Sequence, residues 1–363
     1  MLPHSIHKST RKFAFRSLQL RSREKRKQYN EEMDSAFHDL KIIKGNITSN
    51  GFIGYLRNRM ELRIVHRSEI DTSKWDALID ATPESSLCSY SWWLDELAEN
   101  WAAIVAGDYE SVLALPYTVR LGQKILYTPI FCSYSEMLGK EMDVQKCEAL
   151  ILSTFKTIQY AVLQPVFRRQ REQWVCQRAT TDAVLNKQAK RAISKMEKAG
   201  YTPSVSNRFE QIFQFVSTSL NGKFRGINTV SLGRLQSGLK AAQYNGKLTL
   251  FQVDDPNGNL QGGLVCLEND HQLLYMKGTA APGAMKHGAM YGLMYKAMQY
   301  AFDKGKFFDF GGSRMEGVRR FNLNLGGKDI SYYHFVANHG PFWFNILRNV
   351  NVKLKKSGLK VNP

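Results

Sequence analysis

No apolar run in this sequence is long enough to cross a membrane. The longest runs, such as residues 102–106 and 113–116, are far shorter than the roughly 20 residues that a spanning helix needs. Cysteine is also scarce, with 5 in 363 residues, and no two cysteines form a C-x-x-C pair. Neither a disulfide framework nor a zinc ribbon is therefore expected, and we predict reduced, mostly buried thiols in a cytoplasmic protein. These are Cys88, Cys132, Cys147, Cys176 and Cys266.

The signatures of several common enzyme classes are missing. There is no G-x-x-x-x-G-K-[ST] phosphate loop, no G-x-G-x-x-G after a strand and no H-E-x-x-H zinc motif. Residues 311–313 (G-G-S) resemble a nucleophile elbow, but Met315 stands where G-x-S-x-G requires its last glycine. These absences argue against kinase, dehydrogenase, hydrolase and zinc-enzyme functions, and no metal is expected.

Charge is strongly one-sided. The 50 Lys and Arg exceed the 32 Asp and Glu, for a formal net charge of +18. The excess is concentrated at the ends: residues 1–59 contain 13 basic and 5 acidic side chains, and no acid follows Asp329. Such a surplus favours anionic partners, which include phosphorylated cofactors, RNA and anionic membrane surfaces.

The sequence divides into four predicted segments. Residues 1–59 lack apolar periodicity, and we interpret them as a disordered basic arm, a transit peptide or sequence upstream of the true start. Two lobes are predicted over 60–180 and 181–337. Residues 338–363 form an aromatic and then basic tail, which would either contact a membrane peripherally or dock on its own lobe.

Hydrophobic periodicity predicts an α/β fold. In the second lobe, residues 202–336 give the order β-α-α-β-β-β-α-β-α-β, with a hairpin signal at 254–258 and one long helix over 284–303. The first lobe repeats much of this order, with a helix over 144–160 and a charged connection over 168–177. We therefore expect two similar lobes, each a mixed sheet flanked by helices.

Several segments resemble one family in their order and spacing. They are residues 75–79 (W-D-A-L-I), 191–200 (R-A-I-S-K-M-E-K-A-G), 308–313 (F-D-F-G-G-S), 317–321 (G-V-R-R-F) and 325–327 (L-G-G). Over about residues 60–336 the chain resembles the Fem-like (FemAB-related) branch of the GNAT acyl-CoA N-acyltransferase superfamily. The resemblance implies tandem GNAT-type lobes and transfer of an acyl group to an amine.

The sequence departs from that family directly after Phe321. Asn322 occupies the position where members often have a lysine, which is implicated in aminoacyl-tRNA-dependent transfer. Asn322 can donate a hydrogen bond but brings no charge, so the resemblance implies acyl-CoA as the donor rather than charged tRNA. The usual CoA loop is not matched either, and residues 286–292 are the nearest segment.

Amine acylation needs a proton acceptor and hydrogen-bond donors for the oxyanion. Asp309 lies in a strand otherwise made of phenylalanine and precedes two glycines, so it is either a site carboxylate or a hydrogen-bonded core acid. His334 and Tyr332 share one face of the last strand, where they are a candidate base and acid or packed core residues. Asn322 completes the predicted catalytic set.

Two further groups of residues are predicted to bind substrates. Around the start of helix 284–303, glycines allow close backbone approach and basic side chains suit a phosphorylated donor; a tight structural turn is the alternative. This cofactor-binding set is Lys277, Gly283, Lys286, His287 and Gly288. Near the predicted helix 316–325, Arg314, Arg319 and Phe321 are predicted to contact the substrate, and a solvated helix face is the alternative.

These observations predict an N-acyltransferase that moves an acyl group from acyl-CoA to an amine. The acceptor class comes from the resemblance alone and is envelope-related: an amino sugar, a peptide or a lipid-linked precursor. Two alternatives stay open. One is aminoacyl transfer from tRNA, for which the basic helix 186–199 is suited, and the other is a non-catalytic binding protein.

Overall fold

A computed structural model of the protein describes residues 61–83, 85–168, 172–221, 227–312 and 315–342, and within them thirteen strands form one mixed sheet. The predicted N-terminal arm, most of the predicted tail and Arg314 lie outside the described residues. Among the helices described, none is long and apolar enough to cross a membrane.

The first half of the described chain follows a β-α-α-β-β-β order and then continues into a helix and two strands. Its elements are β1 (Leu62–His66), α1 (Thr72–Asp80), α2 (Ser91–Leu97), β2 (Asn100–Ala106), β3 (Ser111–Arg120), β4 (Gln123–Tyr127), β5 (Met137–Gly139), α3 (Val144–Thr154), β6 (Thr157–Val162) and β7 (Glu172–Ala179).

The second half repeats this order after an additional basic helix. Its elements are α4 (Lys187–Lys198), β8 (Thr202–Ser206), α5 (Phe209–Leu220), α6 (Thr229–Tyr244), β9 (Leu248–Asp254), β10 (Leu260–Glu268), β11 (Gln272–Ala280), α7 (Pro282–Lys286), α8 (Ala289–Asp303), β12 (Phe307–Gly312), α9 (Glu316–Asn324) and β13 (Lys328–Asn338). The predicted α/β fold with two similar lobes is confirmed.

Side-chain caps fix where several of these helices begin. The carboxylates of Asp71 and Asp143 accept hydrogen bonds from backbone N–H groups in the first turns of α1 and α3. Asn186 does the same for α4, and Asn228 forms a reciprocal capping box with Ser231 at the start of α6. Each cap satisfies N–H groups that have no partner inside the helix.

Three predicted elements were wrong. The helix predicted over 144–160 ends at Thr154, because Phe155 is already extended and the β-favouring residues after it form β6. The predicted connection 168–177 contains β7 from Glu172 onward, since its charged start hid a strand that is buried at its other end. The predicted long helix is two helices, α7 and α8, which are separated at Gly288 by a left-handed backbone conformation (φ 89°).

The strand order shows that the two halves exchange their last strands. The sheet runs β1-β2-β3-β4-β6-β13-β7-β12-β11-β10-β9-β8, with β5 paired to β3. Strand β13 lies between β6 and β7, and β7 pairs on its other side with β12. The last strand of each half therefore completes the sheet of the other half.

Helices cover both faces of the sheet. On one face, α1, α2, α5 and α6 form a core cluster that spans both halves, with Trp75, Trp93 and Leu235 fully buried in it. On the opposite face, α4 and α8 pack on strands β9 to β12 through Met196, Leu293 and other apolar residues. Strands β9 to β11 therefore lie between two apolar layers.

Candidate functional site

Two neighbouring parallel strands diverge in the second half. Strands β11 and β12 pair only where Gln272, Leu273 and Leu274 face Phe307, Phe308 and Asp309. Beyond these residues β11 stays paired with β10 and β12 stays paired with β7, so β11 and β12 no longer pair with each other. The divergence leaves the backbone groups on one side of β11 available to a ligand.

A β-bulge lies on β11 at the point of divergence. Cys266 of β10 faces Tyr275, and the next residue back, Val265, faces Lys277, so Met276 has no register partner on β10. A bulge of this kind bends the strand and redirects its backbone groups, and bulges are frequent beside active sites.

The corresponding place in the first half is closed. Strands β4 and β6 also pair in parallel over only three residues each, ending at Tyr127 and Gln159. There, however, Thr128 Oγ1 accepts a hydrogen bond from Ala161 N at 2.7 Å, and Ser135 exchanges backbone hydrogen bonds with Ala161 and Leu163. The first half thus fills with its own chain the gap that the second half leaves open.

A cavity of about 690 Å³ occupies the opening between β11 and β12. This volume lies within the range of small-molecule sites. Both halves of the chain contribute to its walls. We call it the β11–β12 cavity. Its lining consists of Ser86, Cys88, residues 131–134, Ser219, Leu220, Ile227, residues 274–279, residues 309–312, Met315 and Val318.

Lys277 is the basic side chain among the described residues that line the β11–β12 cavity. It is partly buried, and its ammonium makes no hydrogen bond or ion pair with any residue that the structure describes. Burial lowers the pKa of Lys277 below its ordinary value. The cavity wall therefore contains a basic group that makes no ion pair within the described part of the chain.

Asp309 lines the same cavity and is held from two sides. Its Oδ2 accepts a hydrogen bond from Nε of Arg178 at 2.9 Å, and its Oδ1 accepts one from the Gly311 N–H at 2.8 Å. Arg178 also donates to the hydroxyl of Tyr134 at 2.9 Å. Burial raises the pKa of Asp309, while Arg178 and the Gly311 N–H oppose that rise. Each carboxylate oxygen keeps a lone pair that a substrate proton can use.

A second buried acid, Glu136, lies behind the first-half wall. It accepts hydrogen bonds from the backbone N–H of Ser86 and from Ser89 Oγ, which form the turn that brings Cys88 to the cavity. Burial raises the pKa of Glu136 to about 7. Among the described residues, no group of three His, Cys, Asp or Glu side chains is placed to hold a metal ion.

Tyr332 and His334 lie on β13 behind the cavity rather than in its lining. The Tyr332 ring is buried against Tyr134 at 5.3 Å, and its hydroxyl lies close to Gly312, which does line the cavity. The His334 ring stacks on Trp174 at 4.0 Å. Trp174 touches both rings, so they share a face of the strand as the sequence predicts. Their catalytic roles stay predictions.

Asn322 and Arg319 belong to one hydrogen-bond chain that ties α9 to the exchanged strands. Buried Asn322 donates to Gln177 Oε1 at 2.9 Å, and Gln177 donates to Asp329 at 2.8 Å. Arg319 completes the chain with an ion pair to Asp329. The structure gives both residues a role in packing the helix, and it places neither in the cavity lining.

Phe321 of the predicted substrate set and three residues of the predicted cofactor-binding set are also absent from the cavity lining. Phe321 packs on Tyr291 at 4.4 Å between their ring centroids. His287 lies 5.7 Å from the ring of Tyr201. The Lys286 carbonyl accepts a hydrogen bond from Lys195, and Gly283 has open space around it.

Gly288 has a structural explanation. A Cβ at this position would overlap the backbone carbonyl of Ala192 in α4, and the left-handed φ itself favours glycine. Of the predicted donor-binding residues, Lys277 is the one in the cavity lining.

Sequence reasoning missed the contribution of the first half. Residues 131–134 and the turn with Ser86 and Cys88 carry no motif, and they reach the cavity only because the halves share one sheet. Arg178 was missed because β7 was interpreted as a connection. The short apolar run over residues 174–176 (W-V-C) was the available signal for that strand.

The sequence matches no protein-family profile and no curated protein. Solved structures do match. FemX superposes with a TM-score of 0.50 at 14% identity, covering 77% of this chain and 98% of its own. L-PGS from Bacillus licheniformis gives 0.51 at 12% identity, covering 76% and 95%.

The C-terminal domain of an Agrobacterium fabrum protein, named as a lysylphosphatidylglycerol synthetase, gives a TM-score of 0.52 at 12% identity and covers 79% of this chain and 97% of its own. At such low identity these matches show the fold. The described chain therefore has the fold shared by FemX, L-PGS and this synthetase domain.

Proposed function

We propose that this protein is an N-acyltransferase that transfers an acyl group from acyl-CoA to an amine within the β11–β12 cavity. The observation that carries the proposal is the divergence of β11 and β12 beyond Leu274 and Asp309, with a bulge at Met276 beside the resulting cavity. This opening supplies both a space for the acyl group and backbone donors along one wall.

The reaction requires that the amine nitrogen attack the thioester carbon and that the carbon–sulfur bond break. The carbonyl oxygen gains negative charge in the intermediate, and N–H groups of β11 near the bulge are suitable donors to it. Asp309 lies in the same cavity and accepts the proton that the amine loses. The thiolate leaves as CoA.

Charge in the cavity favours a donor other than an aminoacyl group. Asp309 is already paired with Arg178, whereas Lys277 has no partner among the described residues. An aminoacyl donor would bring a second ammonium toward Lys277, and like charges in a partly buried site repel strongly. An uncharged or anionic acyl group avoids that cost.

The proposed acceptor is an envelope-related amine, carried by an amino sugar, a peptide or a lipid-linked precursor. This class follows from the family resemblance. One protein of the same fold is named as a lysylphosphatidylglycerol synthetase, a name that joins an amino acid to a phospholipid. A lipid-linked acceptor would suit the basic, aromatic tail, which we propose contacts an anionic membrane surface.

The donor site is tested by thermal unfolding with and without acetyl-CoA. A ligand that binds only the folded state raises the melting temperature. We expect stabilisation of the parent and its loss in Ser219→Trp, which places an indole in the cavity lining. Thr218→Trp, on the adjacent exposed position of α5, is the matched control and should respond like the parent. If acetyl-CoA stabilises both variants equally, the donor site lies outside the β11–β12 cavity.

Aminoacyl transfer from tRNA is a second candidate because α4 exposes a row of basic side chains. These are Lys187, Lys190, Arg191, Lys195 and Lys198. A complex with tRNA whose affinity falls steeply with salt, and falls further in Lys190→Glu, would favour this donor. Stabilisation by acetyl-CoA without any turnover across amine acceptors would instead favour a non-catalytic binding protein.

A further inference from the structure

We infer that the substrate group entering the β11–β12 cavity carries a carboxylate, and that Lys277 binds it. The inference rests on the proposed function for the site, and it adds the chemical class of the group that fills it.

The first step is the charge balance of the lining. Lys277 and Asp309 are the lysine and the acid among the described lining residues. The Asp309 carboxylate is neutralised by Arg178, with side chains that are only 5% and 10% exposed. Lys277 is left as the cation that makes no hydrogen bond or ion pair in the described part of the chain, where the Cys88 thiol is its polar neighbour. A buried cation is costly unless it is paired, so a ligand anion is the expected partner.

The second step is the size of the ligand charge. One ammonium balances one negative charge, which a carboxylate supplies. A phosphate dianion or a pyrophosphate would bring more negative charge than the described lining offsets. Apolar residues such as Leu220, Met276 and Val318 fill much of the remaining wall, and they suit a short carbon chain between the carboxylate and the reacting atoms.

The carboxylate has two possible sources, which are a dicarboxylic acyl group and a carboxylate-bearing acceptor. Matched probes separate them. Succinyl-CoA and butyryl-CoA have four-carbon acyl groups and differ in a terminal carboxylate. N-acetylglycine and N-acetylglycinamide resemble an acylated acceptor with and without that charge. Binding of each probe is measured by titration calorimetry at pH 7.5 and low salt.

In one of the two pairs, we expect the protein to bind the carboxylate-bearing probe with a Kd about tenfold or more lower than that of its uncharged partner. The Lys277→Met variant should lose that preference while still folding, because it removes an unpaired charge and keeps the chain length. Lys277→Gln is the second variant, in case methionine perturbs the wall. Lys198→Met, on the exposed face of α4, is the matched control and should keep the preference.

Three results would overturn the inference: no carboxylate preference in either pair, a preference that persists without Lys277, or no binding by any of the four probes. Its failure differs from failure of the proposed function. Equal binding of the two CoA thioesters, with no preference in the glycine pair, would keep the donor and remove the carboxylate. A Lys277-dependent preference for N-acetylglycine, with no binding of either CoA thioester, would keep the carboxylate inference and reject acyl-CoA as the donor.

Discussion

The guanidinium of Arg178 donates from Nε to Oδ2 of Asp309 across 2.9 Å, joining strand β7 of the first half to strand β12 of the second. Burial opposes the charge of Arg178, but Tyr134 and Asp309 hold its pKa above the ordinary value. The proposed proton acceptor is thus positioned by a residue that belongs to the other half of the chain.

Replacing Asp309 with asparagine should therefore have two effects. It leaves the Arg178 charge buried without its counterion, which should lower the free energy of unfolding by about 3–5 kcal/mol. It also removes the proposed base, which should lower kcat about a hundredfold or more. Chemical denaturation and an acyl-transfer assay measure the two effects on one protein.

The variant Arg178→Met separates these effects, because it loses the ion pair but keeps the carboxylate. We expect it to lose stability like Asp309→Asn while it retains more of the turnover. If Asp309→Asn is destabilised but turns over like the parent, Asp309 is a core acid, and His334 becomes the next candidate base.

Gly288 and Gly283 form a matched pair for testing the turn between β11 and α8. Gly288→Ala should lower the free energy of unfolding by about 1–3 kcal/mol or more, because the left-handed backbone and the Ala192 carbonyl both oppose a side chain. Gly283→Ala has open space and should change stability by less than about 1 kcal/mol. A tolerated Gly288→Ala would reject the packing explanation for this glycine.

Glu136 should make stability depend on pH in the direction opposite to that of an ion-paired acid. Burial raises its pKa from 4.5 to about 7, so the folded protein holds this proton more firmly than the unfolded chain does. The contribution of Glu136 to the free energy of unfolding should therefore fall by about 3 kcal/mol as pH rises from 4.5 to about 7. Above that range it should stay level.

The control is Glu136→Gln, which can still accept the Ser86 hydrogen bond but does not titrate. The free energy of unfolding of each protein is measured by denaturation between pH 4.5 and 8. The difference between parent and variant at each pH isolates the contribution of Glu136. A difference that is flat across this range would show that the carboxyl titrates normally.

The strand exchange predicts that neither half folds cooperatively alone. Residues 60–180 end with β7, whose partners β12 and β13 belong to the other half, and residues 181–363 lack β7 between those two strands. Each fragment should melt without a sharp transition, and an equimolar mixture should regain one. A sharp transition in either isolated fragment would contradict this and would favour independent lobes.

The sequence predicted the order of elements well where periodicity and caps agree. Asn186 and Gly200 frame α4, and the turn residues 254–258 separate β9 from β10, so local chemistry alone sets these boundaries. The exchange of β7 and β13 could not be predicted in this way. It depends on which strand edges meet across more than a hundred residues, and no local pattern encodes that choice.

The site residues that could be predicted are likewise those that stand out locally in the sequence. Asp309 could be singled out because an acid within an apolar strand is conspicuous in sequence, and Lys277 because it is a basic residue close to a glycine-rich helix start. Phe131 and Ser86 could not be singled out in this way. They line the cavity only because the first half packs against the second in the folded chain. Asn322 and Arg319 lie in a conspicuous motif, yet their side chains bind Gln177 and Asp329.

The position of β13 also affects how the chain is made. One edge of β6 gains its partner only after roughly 165 further residues have been translated, which takes about 10 to 30 seconds at ordinary ribosomal speed. During that interval the strand Thr157–Val162, rich in β-branched and aromatic residues, presents an unpaired edge to other nascent chains. The yield of folded protein in a cell should therefore depend on chaperones that shield this edge until synthesis reaches β13.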